Sequence, residues 1–179
     1  MNWTNKLVAL AAAMIILTPS AASAYYWYTP TRYYTPAVRT AAAAPAATPT
    51  ASAATSVEQA LVQLTNQERI KAGLAPLQLD EKLTSLARMK SADMVAKNYF
   101  SHTSPTYGTP AQMLVKNGVT YTAFAENIAK GSTAAQIHTM WMNSAGHRAN
   151  IMNVRLNRIG IGAAKSGTGY AATQLFITR

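Results

Sequence analysis

Hydrophobic positions along the chain fall into three regimes. An unbroken apolar run extends from Leu7 to Leu17, preceded by Lys6 and followed by Ala22-Ser23-Ala24. Eleven residues are too few for a membrane-crossing helix, which needs about 20, and the small-x-small ending fits export. Residues 1–24 therefore read as a secretory signal peptide removed after Ala24, which leaves no transmembrane segment in the mature chain. Residues 25–55 show no period: Tyr25-Tyr26-Trp27-Tyr28 and Tyr33-Tyr34 give way to Ala, Thr and Pro. That stretch reads as a disordered linker, Tyr-rich and then Ala/Thr/Pro-rich, with too little to fold around.

From 56 to 179 the pattern becomes that of a folded domain. Thr55 and Glu58 have capping-box spacing, and Val57, Ala60, Leu61 and Leu64 recur at helical intervals, which predicts a helix over 56–72. Asp80 is placed to cap a second helix in which Leu83, Leu86, Ala87, Met94 and the stem of Lys90 share a face, ending near Asn98. Thr109-Pro110 supplies a cap and a first-turn proline for a short third helix that ends at Asn117-Gly118. A fourth helical stretch runs from Ser132 through Trp141, and Asn143-Ser144-Ala145-Gly146 breaks it just before His147. Arg158–Ala164 and Tyr170–Thr178 are β-branched and aromatic around Lys165-Ser166-Gly167-Thr168-Gly169, as in an antiparallel hairpin. Helices first and strands last predict an α+β fold.

Composition changes this picture in two ways. The chain has no cysteine, so disulfides, thiolate metal sites and cysteine nucleophiles are excluded. Lys and Arg total 16 against 6 Asp and Glu. All six acids lie in residues 56–179 with 13 of the bases, so the domain carries 13 − 6 = +7. Outside a cell such a surface attracts anionic polymers and lipid headgroups. Nucleic acid is disfavoured because no aromatic–basic interleaving is present.

Candidate chemistry is sparse. Of three histidines, His102 (Ser-His-Thr-Ser-Pro) and His147 (Ala-Gly-His-Arg-Ala-Asn) are placed in loops, where sites concentrate, while His138 reads as a packing or surface residue. Glu126 is the only acid in the last 86 residues and sits in an apolar context. A buried carboxylate there requires hydrogen bonds or a cation, which imidazoles or a metal would supply. Neither His-Glu-x-x-His nor Gly-x-Ser-x-Gly occurs. Gly160-Ile161-Gly162 lies inside a predicted strand with no helix after it and is not a dinucleotide motif.

Four strings in order link these residues: Leu64-Thr65-Asn66-Gln67-Glu68-Arg69 with Gly73-Leu74 and Pro76-Leu77; Ala92-Asp93-Met94 with Tyr99-Phe100-Ser101-His102; Ala125-Glu126-Asn127-Ile128-Ala129; and Trp141 through Met152. Together they resemble the bacterial, SCP-like branch of the CAP superfamily (cysteine-rich secretory proteins, antigen 5 and pathogenesis-related proteins). The resemblance implies a CAP-type α-β-α sandwich with a small antiparallel sheet between helical layers, and a cleft carrying two His and two Glu. His102, Glu126 and His147 match three of the four; Ser144 stands where relatives place the second glutamate. Asn127, Ser144 and Arg148 are then the supporting positions, and Arg148, Arg155 and Arg158 are expected at the cleft's rim.

A shallow His102–Glu126–His147 site could hold Zn²⁺ or another divalent cation, weakly, because a catalytic zinc usually has three strong protein ligands. The expected function is that of a secreted or cell-wall-associated monomer acting as a binding or assembly module, more a binder than an enzyme. Its expected partners are a cell-wall polymer, an anionic lipid or a surface protein. Two alternatives stay open: a weak hydrolase, protease or peptidoglycan-directed, in the same cleft, with Ser101, Ser104 or Ser144 as nucleophile; and lipid or sterol binding.

Overall fold

A computed structural model describes residues 23–25 and 51–179. The expected signal peptide and linker lie largely outside these residues. In chain order the elements are β1 (Ser23–Tyr25), α1 (Ala51–Lys71), β2 (Gln78–Leu79), α2 (Glu81–Ala96), α3 (Pro110–Lys116), β3 (Ala123–Gly131), α4 (Ala134–Asn143), α5 (Ala145–Ile151), β4 (Arg158–Ser166) and β5 (Gly169–Thr178). The strands form one sheet in the order β1-β3-β5-β4-β2. It is mixed where an antiparallel sheet was expected: β1–β3, β3–β5 and β5–β4 are antiparallel, but β2 runs parallel to β4. The α+β sandwich is as expected, with helices on both faces.

Side chains of β3, β4 and β5 alternate between the two layers, as the pleat requires. Ala123, Ala125, Ala129, Ile159, Ile161, Ala172 and Phe176 pack with Leu61 of α1, Ile137 and Trp141 of α4 and Ile151 of α5. Phe124, Leu175 and Ile177 pack on the other face with Leu83, Leu86 and Ala87 of α2 and Met113 and Leu114 of α3. Gly160 and Gly162 point the same way and let α2 lie directly on β4. A Cβ on Gly162 would stand 2.0 Å from the main-chain nitrogen of Arg88. That close approach is the purpose of the Gly-x-Gly string. The β4–β5 hairpin closes through two residues with Gly167 at φ 58°, a left-handed conformation natural to glycine in a two-residue turn.

Helix boundaries follow the local signals with two exceptions. Asp80 caps α2 by accepting from the Leu83 amide at 3.0 Å, and Thr109 with Gln112 forms a full capping box on α3. α2 ends in a Schellman turn: Asn98 has φ 50°, Asn98 N–H bonds Val95 O at 3.2 Å and Tyr99 N–H bonds Met94 O at 3.0 Å. The first exception is α1, which starts at Ala51, before the expected Ser56, because the alanine-rich lead-in is itself a good helix former. Thr55–Glu58 is consequently not a capping box. The Glu58 carboxylate, buried, instead accepts from Arg88 Nη2 at 2.6 Å and from the Ala163 amide at 2.9 Å. The second exception is His147, expected in a loop. Ser144 breaks the helix for one residue with ψ 122°. Arg148 N–H then bonds Ser144 O at 2.9 Å, which starts α5 and places His147 in its first turn.

The buried stripe of α1 is Glu58, Leu61, Thr65 and Arg69, only one of which is apolar. Arg69 gathers the carbonyls of Ala75, Ile151 and Asn153 at 2.9, 2.7 and 2.9 Å, and Asn66 exchanges two bonds with the main chain of Leu77. The Asn-Gln-Glu-Arg string thus ties α1 to the turn before β2 and to the segment after α5.

Candidate functional site

β3 sends Glu126 and Asn127 to opposite faces of the sheet. Glu126 faces α2 and is fully buried; its Oε1 lies 2.6 Å from His102 Nδ1. Its other oxygen, Oε2, has no hydrogen-bond partner among the described residues. Burial pushes the Glu126 carboxyl above its ordinary range, and the bond from His102 and the charges of His102 and Lys90 act against that shift.

The loop that carries His102 is held from beneath by two groups of α2. Lys90, 1% exposed, donates from Nζ to the carbonyls of Ser101 and His102 at 2.7 and 2.8 Å. Burial lowers its pKa, while Glu126 and Asp93 raise it. Asp93, one turn along, accepts from Tyr99 and Ser104 hydroxyls at 2.7 and 2.6 Å and from Thr106. Burial alone would raise the Asp93 pKa, but the bonds from Ser104, Thr106, Tyr99 and Lys97 outweigh it and hold it at about 2. Ser104 Oγ also accepts from the amides of Thr106 and Tyr107, so this serine is committed to shaping the loop. Neither Lys90 nor Asp93 was singled out for the site from sequence. The signal was present in Lys90, a lysine on the apolar face of a helix.

On the opposite face Asn127 donates to the carbonyl of His147 at 3.2 Å and to Gln174 Oε1 at 2.9 Å. Asn150 donates to Asn127 Oδ1 at 2.8 Å, and Gln174 Nε2 donates to Thr65 Oγ1 at 2.9 Å. This buried chain joins α1, β5, β3 and α5, so that fully buried His147 is set beside the Glu-Asn-Ile segment. The sequence-derived residues therefore divide. His102 and Glu126 are in direct contact. His147 reaches the same strand through its carbonyl and Asn127. Ser144 ends α4 and starts α5 without a side-chain capping bond, and Arg148 is exposed. Arg158 starts β4 beside Gln78 of β2, two strands away from β3. His138 is buried in α4, in keeping with a packing residue.

Among the described residues no group of three or more His, Asp and Glu side chains is placed to hold an ion. One oxygen of Glu126 is engaged by the imidazole that would be its fellow ligand. No helix among the described residues is long and apolar enough to cross a membrane.

A sheet with α1, α4 and α5 on one face and α2 and α3 on the other, a His paired with a fully buried Glu on β3 and a neighbouring His on α5 define a CAP-type domain. The family model for CAP, the cysteine-rich secretory protein family, matches residues 62–177, and the chain belongs to that family. It is 50% identical over 127 residues to protein YkwD of Bacillus subtilis (strain 168), covering 70% of this chain and 49% of that one. Among solved structures, an extracellular protein containing a SCP domain from Bacillus anthracis str. Ames superposes with a TM-score of 0.64 at 33% identity, covering 70% of this chain and 41% of that one. An outer surface protein from Borrelia burgdorferi shares the fold with a TM-score of 0.64 at 22% identity, over 69% of this chain and 93% of its own. The chain thus spans about half the length of YkwD and less of the Bacillus anthracis protein.

Proposed function

We propose that this CAP domain acts outside the cell as a binding or assembly module at the bacterial surface, with the cleft at His102 and Glu126 meeting its ligand. The observation that carries the reading is the 2.6 Å contact between His102 Nδ1 and fully buried Glu126. A carboxylate is costly to bury, yet this one has a single imidazole bond and an Oε2 without a partner among the described residues. The two α2 groups beneath the His102 loop hold the imidazole in place. The names of the Bacillus anthracis and Borrelia proteins, extracellular and outer surface, agree with a location outside the membrane, as does the expected export signal. The +7 domain favours an acidic or wall-associated setting.

The hydrolase alternative is less well supported. Ser104 is bonded to Asp93, and Ser101 Oγ accepts from the Thr103 amide. Weak Zn²⁺ binding, lost in His102→Ala, is the companion expectation. The test is sedimentation of the full chain with purified bacterial cell walls. Glu126→Gln and His102→Ala are each expected to weaken binding about tenfold, equivalent to about 1.4 kcal/mol. Unchanged wall binding in both variants would overturn the reading. Release of soluble wall fragments by the wild type, abolished in Glu126→Gln, would favour the hydrolase.

A further inference from the structure

We infer that the outer edge of β3, between α5 and the His102 cleft, is a docking groove for an extended peptide, which adds there as an antiparallel strand. The inference rests on reading this cleft as a binding site and names the chemistry of one ligand class for it: polypeptide main chain. The groove is occupied by the chain itself. Ser23, Ala24 and Tyr25 pair with Ile128, Asn127 and Glu126 respectively, and β1 packs against both β3 and α5.

Three features make this edge different from an ordinary one. A free strand edge presents a row of unpaired N–H and C=O groups, and folds usually blunt it with charge, proline or a bulge. The opposite edge of this sheet is reduced to the two-residue β2. β3 by contrast is nine residues long, buried from Ala123 to Ala129 and without proline. Its row of main-chain groups therefore needs a cover, and only three residues among those described supply one. Those three straddle the expected export cleavage after Ala24, which would carry Ser23 and Ala24 away. The exported chain would then present main-chain groups of β3 beside Glu126, the residue paired with Tyr25. β-Strand addition at such an edge takes affinity from main-chain bonds and specificity from alternate side chains.

The test uses a fluorescein-labelled peptide copying residues 21–27 and fluorescence anisotropy with two full-length chains. One is wild type. The other carries Ser23→Pro, Ala24→Pro and Tyr25→Pro, so none of the three residues can donate to β3. The proline chain is expected to bind the peptide at least about tenfold more tightly than wild type, whose own tethered strand competes at high effective concentration. A peptide N-methylated at its central amides is expected to lose binding. Failure of the unmodified peptide to bind the proline chain with its wild-type circular dichroism intact, or equal binding of the methylated peptide, overturns the inference. A second measurement needs no variant: excess peptide should slow or redistribute amide exchange in residues 124–130 of the wild type, and no change there also overturns it. Cell-wall binding without peptide reports the preceding reading separately, so walls bound and peptide ignored would sink this inference alone.

Discussion

Lys90 Nζ donates to the main-chain carbonyl of His102 at 2.8 Å, so a buried cation on α2 fixes the loop whose imidazole meets Glu126. The same ammonium bonds Ser101 O at 2.7 Å. Replacing it with a methionine of similar length leaves both carbonyls without that donor and removes the positive charge acting on Glu126. Lys90→Met is expected to cost about 2 kcal/mol, the usual penalty for stranding buried polar groups, measured by urea unfolding. Amide exchange in residues 99–108 should accelerate more than in β4 or β5. A uniform change across the domain would show that Lys90 only fills space.

Asp93 makes the loop sensitive to acid. Its carboxyl is held at about 2, below an unfolded value near 3.9, so the folded state favours the ionised form. A depressed folded value contributes stability that is complete above about pH 4 and is lost as pH falls through about 2. One pKa unit corresponds to about 1.36 kcal/mol, so about 2 kcal/mol is lost over that window. Asp93→Asn should remove most of this acid-dependent component. A wild type and Asp93→Asn pair with parallel stability–pH curves between about pH 5 and 2 would count against the network.

Glu126 carries the opposite sign. Burial raises its folded pKa, so the folded state favours the protonated form, and the group's contribution to stability declines as pH rises through its folded value. Glu126→Gln keeps an oxygen for the His102 contact and removes the buried charge. The variant is expected to melt higher than wild type at about pH 8, with the gap closing towards about pH 4. A gap that widens on acidification would mean that the ionised Glu126–His102 pair is net stabilising in the fold.

What could be read from sequence depended on how far apart the partners lie. The cap at Asp80, the proline start of α3 and the face of Leu83, Leu86, Ala87 and Met94 are signals written within one or two turns. The buried stripe of α1 is not local: Glu58 meets Arg88 30 residues away, and Thr65 meets Gln174 across 109. A helical period sought in apolar residues therefore chose Val57 and Leu64, which are only partly buried. Glu126 stood out because acids are scarce, and His102 because the ordered motifs pair them. The supports at Lys90 and Asp93 were hidden inside a helix that needed no explanation, and β1 was hidden because a short strand next to an apolar run has no period of its own.

The contact between α2 and β4 gives the sharpest stability prediction. A Cβ on Gly162 would meet Arg88 N at 2.0 Å and Ala87 C at 2.2 Å, and one on Gly160 would meet Leu83 C at 2.3 Å. These are main-chain atoms of a helix, so no side chain can turn aside and the whole of α2 must lift. α2 also carries Lys90 and Asp93, so a lift transmits to the His102 loop. Gly162→Ala is expected to cost about 3 kcal/mol, at the upper end of overpacking penalties, or about 10 °C in melting temperature for a domain this size. Gly73→Ala is the control: its Cβ would meet nothing within 4 Å, and only the left-handed φ of 73° opposes it, for about 1 kcal/mol. Calorimetry of the two variants should rank Gly162→Ala well below Gly73→Ala. Equal melting temperatures would mean that α2 does not rest on β4 as closely as the structure has it.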